Sequence, residues 1–165
     1  MKLKYTLLLI AAVVTGLLSC KKGNNSGPIV GKWQETKLRL YDLDSSNRIL
    51  MDTTYLAPFT DLDYVQFNNG GTCITSADHY YYLTQPGYPA TPPQAIPQSI
   101  GSLGYTYIGG NKYVLNNTSQ LANPGGFNVA DSAFVSGNTL MIHVINYGHG
   151  GENGYKNVTD SYYTR

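Results

Sequence analysis

Tight-turn residues placed between short runs of β-type residues constrain the fold of this chain more than any other feature. Three such turns stand out, at residues 68–71, 109–111 and 136–138, and each is rich in Asn and Gly. Asn and Gly tolerate the positive φ that short hairpin turns need, so each turn predicts a β-hairpin. No strong helical period is present. The chain is therefore predicted to be all-β.

About eight to nine short strands are predicted, and most are joined as hairpins. They cover residues 31–41, 48–56, 62–67, 72–76, 104–108, 112–115, 128–135, 139–147 and 155–165. In the first strand, alternation places Trp33 on the face opposite Leu38 and Leu40. An up-and-down antiparallel barrel of about eight strands is the predicted architecture, because closure removes exposed strand edges. A two-sheet β-sandwich is the alternative.

Residues 84–97 hold five of the eight prolines. Proline cannot donate a ladder hydrogen bond, so this segment is predicted to be a long loop rather than a central strand. A functional lid and a variable insertion without a role are both open interpretations of such a loop.

The N-terminus has the features of an export signal. Lys2 and Lys4 precede an apolar run that is too short for a membrane span and that ends at Cys20. The end of this run resembles a lipobox, the bacterial signal whose cysteine is acylated. Residues 1–19 are therefore predicted to be a lipoprotein signal peptide, residues 20–28 a flexible tether and residues 29–165 one barrel domain. Acylated Cys20 would attach the protein to a membrane.

The net charge argues against a nucleic-acid-binding protein, and the cysteine content argues against a disulfide-stabilised fold. The formal net charge of +1 becomes about −1 without Lys2 and Lys4, so the basic surface that a nucleic-acid partner would require is missing. Cys20 and Cys73 are the only cysteines, and a lipidated Cys20 leaves no disulfide framework. Cys73 is expected to be a buried apolar thiol.

Several motifs together resemble the lipocalins and the small bacterial lipocalin-like lipoproteins of the calycin superfamily. They are the G-x-W motif of residues 31–33, the hairpins of residues 64–72 and 105–115, the segment 136–140 and the closing residues 163–165. The resemblance covers most of the predicted mature chain. It implies a barrel that is open at one end and whose mouth or cavity holds a small apolar ligand.

The resemblance also implies a structural plug at the closed end of the barrel. Gly31 and Trp33 match the motif of the first strand, and Arg165 matches an arginine that lies over the tryptophan ring in this family. A ligand would then bind at the opposite end. Tyrosines beside the Pro-rich and Gly-rich loops are candidates for contacting it, although tyrosines also simply cover sheets with few charges. These candidates are Tyr80, Tyr82, Tyr88 and Tyr147.

No residue pattern predicts catalysis or a metal site. His143, His149 and Glu152 flank one loop but lack the close spacing of zinc ligands. Three aspartates (Asp61, Asp63 and Asp78) surround turns, where Asp commonly bonds to nearby backbone. We therefore expect no enzyme, no metal and no cofactor, with a small hydrolase as the least favoured class. Two buried, facing carboxylates or a histidine cluster would argue for catalysis.

The expected function is that of a lipid-anchored cell-envelope protein, more consistent with a periplasmic than a surface location. The barrel is expected to bind a small apolar or amphipathic ligand, or an envelope partner that the sequence does not identify. The alternative is a structural or interaction scaffold whose barrel interior is filled by side chains.

Overall fold

A computed structural model describes residues 27–56, 58–80, 92, 94–116, 129–147 and 154–165. These residues form nine strands of one antiparallel sheet. The strands are β1 (Gly31–Leu43), β2 (Ile49–Tyr55), β3 (Tyr64–Phe67), β4 (Thr72–Tyr80), β5 (Gln94–Gly109), β6 (Lys112–Asn116), β7 (Val129–Ser136), β8 (Thr139–Tyr147) and β9 (Lys156–Thr164). Within those ranges, no helix has the length and apolar character needed to cross a membrane.

The sheet closes on itself to form an eight-stranded barrel. Each strand from β3 to β9 pairs with the next, and β1 pairs with both β3 and β9. β2 is an extra strand, attached to the second half of β1. The predicted up-and-down barrel is thereby confirmed, and the two-sheet sandwich is wrong because one continuous sheet closes the ring.

The two ends of the barrel differ in their connections. At the short-turn end, the hairpins β3–β4, β5–β6 and β7–β8 are joined by residues 68–71, 110–111 and 137–138. Gly110 and Asn111 have φ values of 60° and 61°, as a type I′ hairpin turn requires. At the long-loop end, residues 44–48, 81–93, 117–128 and 148–155 join β1 to β2, β4 to β5, β6 to β7 and β8 to β9, while residues 56–63 join β2 to β3. Only the first of these connections is described completely.

A bulge in β1 changes which side chains face the barrel interior. The register between β1 and β9 shifts between Glu35 and Lys37, so one extra residue resets the alternation. Trp33 and Glu35 face inward before the bulge, and Leu38 and Leu40 face inward after it. The prediction that Trp33 lies on the face opposite Leu38 and Leu40 is therefore wrong.

Apolar side chains fill the barrel at the short-turn end. The core there consists of buried residues from seven strands and the segment that precedes β1: Ile29, Trp33, Val65, Phe67, Cys73, Tyr105, Tyr113, Leu115, Ala133, Val135, Leu140 and Ile142. The Phe67 and Tyr105 rings meet edge to face with centroids 5.1 Å apart. Cys73 is a free, buried thiol, as expected, and burial raises its pKa to about 11.

β3 is the shortest strand, and this changes the wall of the barrel. It pairs only with Gly31–Gln34 of β1, while β2 pairs with β1 from Leu38 onward. Beside β2, a second apolar cluster combines Leu38 and Leu40 with partly buried Met51, Tyr55 and Phe59. The connection between β2 and β3 therefore brings its own side chains to the barrel wall.

Part of the predicted Pro-rich loop belongs to a strand. β5 begins at Gln94 and includes Pro97, so the loop prediction for 84–97 is wrong over its last four residues. The pairing of β5 with β4 jumps from Ser99 to Ala95, which leaves Pro97 in an irregular stretch. A proline is tolerated there because that position donates no regular ladder hydrogen bond. Residues 84–91 lie outside the described part of the chain.

Candidate functional site

Polar side chains occupy the barrel interior beyond the apolar core. Glu35 follows Trp33 by two residues on the inner face of β1, and its backbone N–H donates to the Asp63 carbonyl at 2.8 Å. His79 lies on β4, six residues after core residue Cys73, and therefore faces the same side. All three of Glu35, Asp63 and His79 are at most 7% exposed. The fold thus brings together two carboxyl groups and an imidazole that are far apart in sequence.

Asp63 and His79 form a tightly held pair. His79 Nδ1 lies 2.6 Å from Asp63 Oδ1. The backbone N–H groups of Thr60 and Asp78 donate to the same carboxylate at 2.7 and 3.0 Å. Burial alone would raise the pKa of Asp63, but these donors and the neighbouring His79 outweigh it and hold the pKa below its usual range. Asp63 is therefore an ionised carboxylate that orients the imidazole.

The other nitrogen of His79 faces Glu35. His79 Nε2 lies 4.0 Å from Glu35 Oε2, too far for a direct hydrogen bond. The Phe59 ring meets the imidazole edge to face, with centroids 5.1 Å apart. An apolar ring on one side and an ionised Asp63 on the other fix the direction in which Nε2 points.

Glu35 is the least satisfied member of the cluster. Burial raises its pKa to about 8; a hydrogen bond with Ser161 opposes this shift, and the negative charge of Asp63 adds to it. Its Oε1 atom is buried and makes no hydrogen bond within the described residues. A buried polar atom without a partner costs about 1–3 kcal/mol, and such groups cluster at functional sites.

Asp131 is a half-buried carboxyl group on the inner face of β7. It precedes core residue Ala133 by two positions in β7 and therefore faces the same interior. Its Oδ1 atom is buried and without a hydrogen-bond partner among the described residues. Burial raises the pKa of Asp131 to about 6. Glu35 and Asp131 thus share one unusual property, a buried and unpaired carboxyl oxygen.

Basic side chains do not balance these carboxyl groups. Of the lysines and arginines in the described ranges, none is buried. Five of them stack on aromatic rings, namely Lys32, Lys37, Arg39, Lys112 and Arg165. His79 is the only buried histidine of the described residues. The buried polar side chains in this part of the chain are therefore four carboxyl groups, three hydroxyl groups and one imidazole.

Asp63, Asp78 and His79 also satisfy the distance criterion for a metal cluster, since one ligand atom of each lies within 4.8 Å of the others. Their atoms are already used in protein hydrogen bonds, however. Asp63 accepts from two backbone N–H groups, and Asp78 Oδ2 accepts from the Thr60 hydroxyl at 2.9 Å. A metal would have to break these bonds, so the donor set favours a hydrogen-bonded cluster.

Gly31, Trp33 and Arg165 lie together at the short-turn end. Trp33 is fully buried and its Nε1 donates to the Ile29 carbonyl at 2.6 Å. The Arg165 guanidinium lies 4.3 Å from the centre of the Trp33 ring and donates to the Val30 carbonyl at 3.2 Å. Gly31 has a φ of 130°, which a residue with a Cβ rarely adopts. These contacts cover the apolar core at its end.

Replacing Arg165 with methionine tests the cation over Trp33. We expect the free energy of unfolding to fall by about 0.5–1 kcal/mol, because methionine keeps an apolar stem of similar length but removes the charge. Urea unfolding followed by circular dichroism measures the change. Arg48→Met is the control, since Arg48 is an exposed member of a surface ion pair. Equal effects of the two substitutions would contradict a stabilising contact between Arg165 and Trp33.

The tyrosines predicted to contact a ligand are only partly described. Tyr147 ends β8 and is 38% exposed. Tyr80 ends β4, but its side chain lies outside the described part of the structure. Tyr82 and Tyr88 fall in the undescribed segment 81–91, and Cys20 precedes the first described residue. Their predicted roles in ligand binding and lipidation stay predictions.

The histidine predictions have separate outcomes. His143 Nδ1 lies 2.6 Å from Asp160 Oδ1, on the neighbouring strand β9. His149 and Glu152 lie outside the described residues. The histidine that joins a carboxyl cluster is His79, which the sequence did not connect with Glu35. The one available signal was the position of Glu35, two residues after Trp33 on the same face of a strand.

Comparison with known proteins adds no relative. No protein-family model matches the sequence, and a search of curated proteins finds no match either.

Proposed function

We propose that this chain is a lipid-anchored cell-envelope protein whose lipocalin-like barrel binds a small amphipathic molecule from the long-loop end. The observation that carries the proposal is a buried carboxyl oxygen of Glu35 that has no hydrogen-bond partner among the described residues, inside a barrel whose short-turn end is filled by apolar side chains. A binding site typically combines apolar walls with a few polar groups. The apolar part of the ligand would contact residues such as Leu38 and Phe59.

The cost of Glu35 to the folded state supports a role in binding. Its side chain loses water on folding, and Oε1 gains no hydrogen bond among the described residues. An apolar side chain of similar size would avoid that cost. Residues that reduce stability without structural compensation are expected at functional sites.

Native mass spectrometry of protein purified from its own membranes tests whether a ligand is bound. We expect a small-molecule adduct that is released when the protein is denatured. Glu35→Leu should reduce the adduct, while Asp52→Asn, which changes an exposed carboxylate of the outer ion pair with Arg39, should leave it unchanged. Absence of any adduct from the unsubstituted protein would contradict the carrier proposal.

Membrane attachment through Cys20 has a direct test. Cys20→Ala should abolish acylation and move the protein from the membrane fraction to the soluble fraction, because acyl chains supply the anchoring free energy. Cell fractionation with immunodetection measures the distribution. Cys73→Ala is the matched control, since Cys73 is buried in the core and unavailable for acylation. Continued membrane association of the Cys20→Ala protein would overturn the anchor.

Acid–base catalysis is a second candidate function, because two buried carboxyl groups face one imidazole. The Asp63–His79 pair leaves Nε2 directed toward Glu35, whose carboxyl group is protonated at neutral pH. An oriented base beside a protonated acid can move a proton on a bound molecule. Chemical alteration of the adduct on incubation with the protein, lost in His79→Gln, would favour catalysis over binding alone.

The structural-scaffold alternative rests on the filled end of the barrel. Four large aromatic side chains, Trp33, Phe67, Tyr105 and Tyr113, are among the most buried of the described residues. A scaffold of this kind would yield no adduct in native mass spectrometry and would be insensitive to substitution of Glu35.

A further inference from the structure

The unpaired carboxyl groups of the interior indicate which chemical class of ligand fits the barrel. Glu35 Oε1 and Asp131 Oδ1 are hydrogen-bond acceptors that are buried and have no partner within the described ranges. They come from β1 and β7, which lie three strands apart around the ring by way of β8 and β9. Two independent segments therefore present the same unsatisfied chemistry to one interior.

We propose that the ligand is an organic cation, an amphipathic amine or guanidine whose charged nitrogen donates hydrogen bonds to Glu35, with Asp131 adding negative charge to the same interior. This inference rests on the proposed function and specifies its ligand class. Ammonium and guanidinium groups carry donors and no acceptors, so they match unpaired carboxyl oxygens. Their positive charge also favours the ionised form of Glu35, which therefore releases its proton when the cation binds. An anionic ligand would instead be repelled by the ionised Asp63 carboxylate.

The rest of the cluster explains why the nitrogen would bind at Glu35 rather than at Asp63. Asp63 already accepts hydrogen bonds from two backbone N–H groups and contacts His79. Glu35 has one buried oxygen without a partner among the described residues. His79, which lies 4.0 Å from the other oxygen of Glu35, contacts Phe59 of the second apolar cluster. A ligand with an alkyl or aryl part next to its nitrogen can therefore contact both surfaces. With no buried lysine or arginine among the described residues, a ligand cation meets no competing protein cation in that interior.

Three probes of equal chain length separate charge from apolar contact. Hexylamine, hexanol and hexanoate share one alkyl group and differ only in the terminal group. The full-length protein in phosphatidylcholine nanodiscs is titrated with each probe by calorimetry, and empty nanodiscs provide the blank. We expect hexylamine to bind at least about tenfold more tightly than hexanol, and hexanoate to bind most weakly, because a charge-assisted hydrogen bond discriminates by about that factor.

Substitutions assign the effect to the two carboxyl groups. Glu35→Gln should lower the hexylamine affinity by about tenfold or more and leave hexanol binding unchanged. Asp131→Asn should lower the hexylamine affinity by a smaller factor. Asp52→Asn removes a charge from the outer face and should change nothing.

The outcomes distinguish the ligand class from the binding function itself. Equal affinities of hexylamine and hexanol, or a Glu35→Gln protein that binds hexylamine normally, would overturn the cation inference while binding remains. An unchanged hexylamine affinity in Asp131→Asn would overturn the part assigned to Asp131. If none of the three probes binds, the proposed carrier function itself is contradicted.

Discussion

Trp33→Ala is expected to lower the free energy of unfolding by about 3–5 kcal/mol, a large part of the stability of a domain of this size. The ring is fully buried among apolar residues from several strands, so its removal leaves a cavity that a closed barrel cannot easily collapse. Its Nε1 also donates to the Ile29 carbonyl, which would lose that partner. Urea unfolding followed by far-ultraviolet circular dichroism measures the loss.

Two comparisons make the Trp33 result specific. Trp33→Phe keeps an aromatic ring but not the N–H group, and should cost less than alanine. Leu56→Ala is the exposed control, because Leu56 is 72% exposed and its truncation should change stability by about 0.5 kcal/mol or less. A Trp33→Ala protein as stable as the Leu56→Ala protein would show that Trp33 does not support the closed end of the barrel.

Glu35→Gln is expected to stabilise the protein by about 3 kcal/mol at pH 7, the second large effect. The ordinary pKa of 4.5 applies in the unfolded chain, whereas burial raises the folded value to about 8. At pH 7 the folded protein therefore holds a proton that the unfolded chain has released, and this difference favours unfolding. Glutamine has nearly the same shape and carries no titrating group, so the penalty disappears.

The pH dependence of the free energy of unfolding tests the raised pKa of Glu35 more directly. Because the folded pKa of Glu35 is raised, its contribution to stability is fully present below pH 4.5 and is lost as pH rises to about 8. Asp131 loses its contribution in the same direction, but only up to about pH 6. Between pH 6 and pH 8 the stability of the unsubstituted protein should therefore fall by about 1.4 kcal/mol per pH unit through Glu35.

Urea unfolding at a series of pH values from 4 to 8 separates the two carboxyl groups. Glu35→Gln should flatten the profile between pH 6 and pH 8, while Asp131→Asn should leave the slope there unchanged and reduce the slope between pH 4 and pH 6. The carboxylate of Asp63 does not interfere, because its lowered pKa places its effect below its ordinary value of 3.8. Parallel profiles of Glu35→Gln and the unsubstituted protein would refute a raised pKa at Glu35.

The barrel could be predicted from sequence because its hairpins are locally encoded. Turn residues such as Gly110 and Asn111 indicate a positive φ by their residue type alone. The alternation of apolar and polar residues then predicts the strands beside them. The bulge after Glu35 was not predictable, since it depends on register against β9, more than a hundred residues later. The strand assignment around Pro97 failed for a similar reason, because a register shift on the partner strand accommodates the proline.

The interior cluster was beyond sequence reasoning for a physical reason. The sequence indicates Asp63 only as a turn residue and His79 only as a strand residue. Their partner Glu35 lies 28 positions before Asp63. The pairing of β3 with β1 places Asp63, which directly precedes β3, beside Glu35. The pairing of β4 with β3 brings His79 to the same barrel interior. No local sequence pattern predicts a contact between residues so far apart in the chain. A single acidic residue on the inner face of a strand, next to a buried tryptophan, was the only hint.

The position of the sole tryptophan has a spectroscopic consequence. Trp33 is fully buried at the short-turn end, with the Arg165 guanidinium over its ring, and Glu35 is the next inward-facing residue along β1. Intrinsic fluorescence excited at the indole band will therefore report the integrity of the closed end. We expect a blue-shifted emission maximum that moves to the red when the barrel opens. Occupancy of the polar interior can be followed independently through the imidazole resonances of His79.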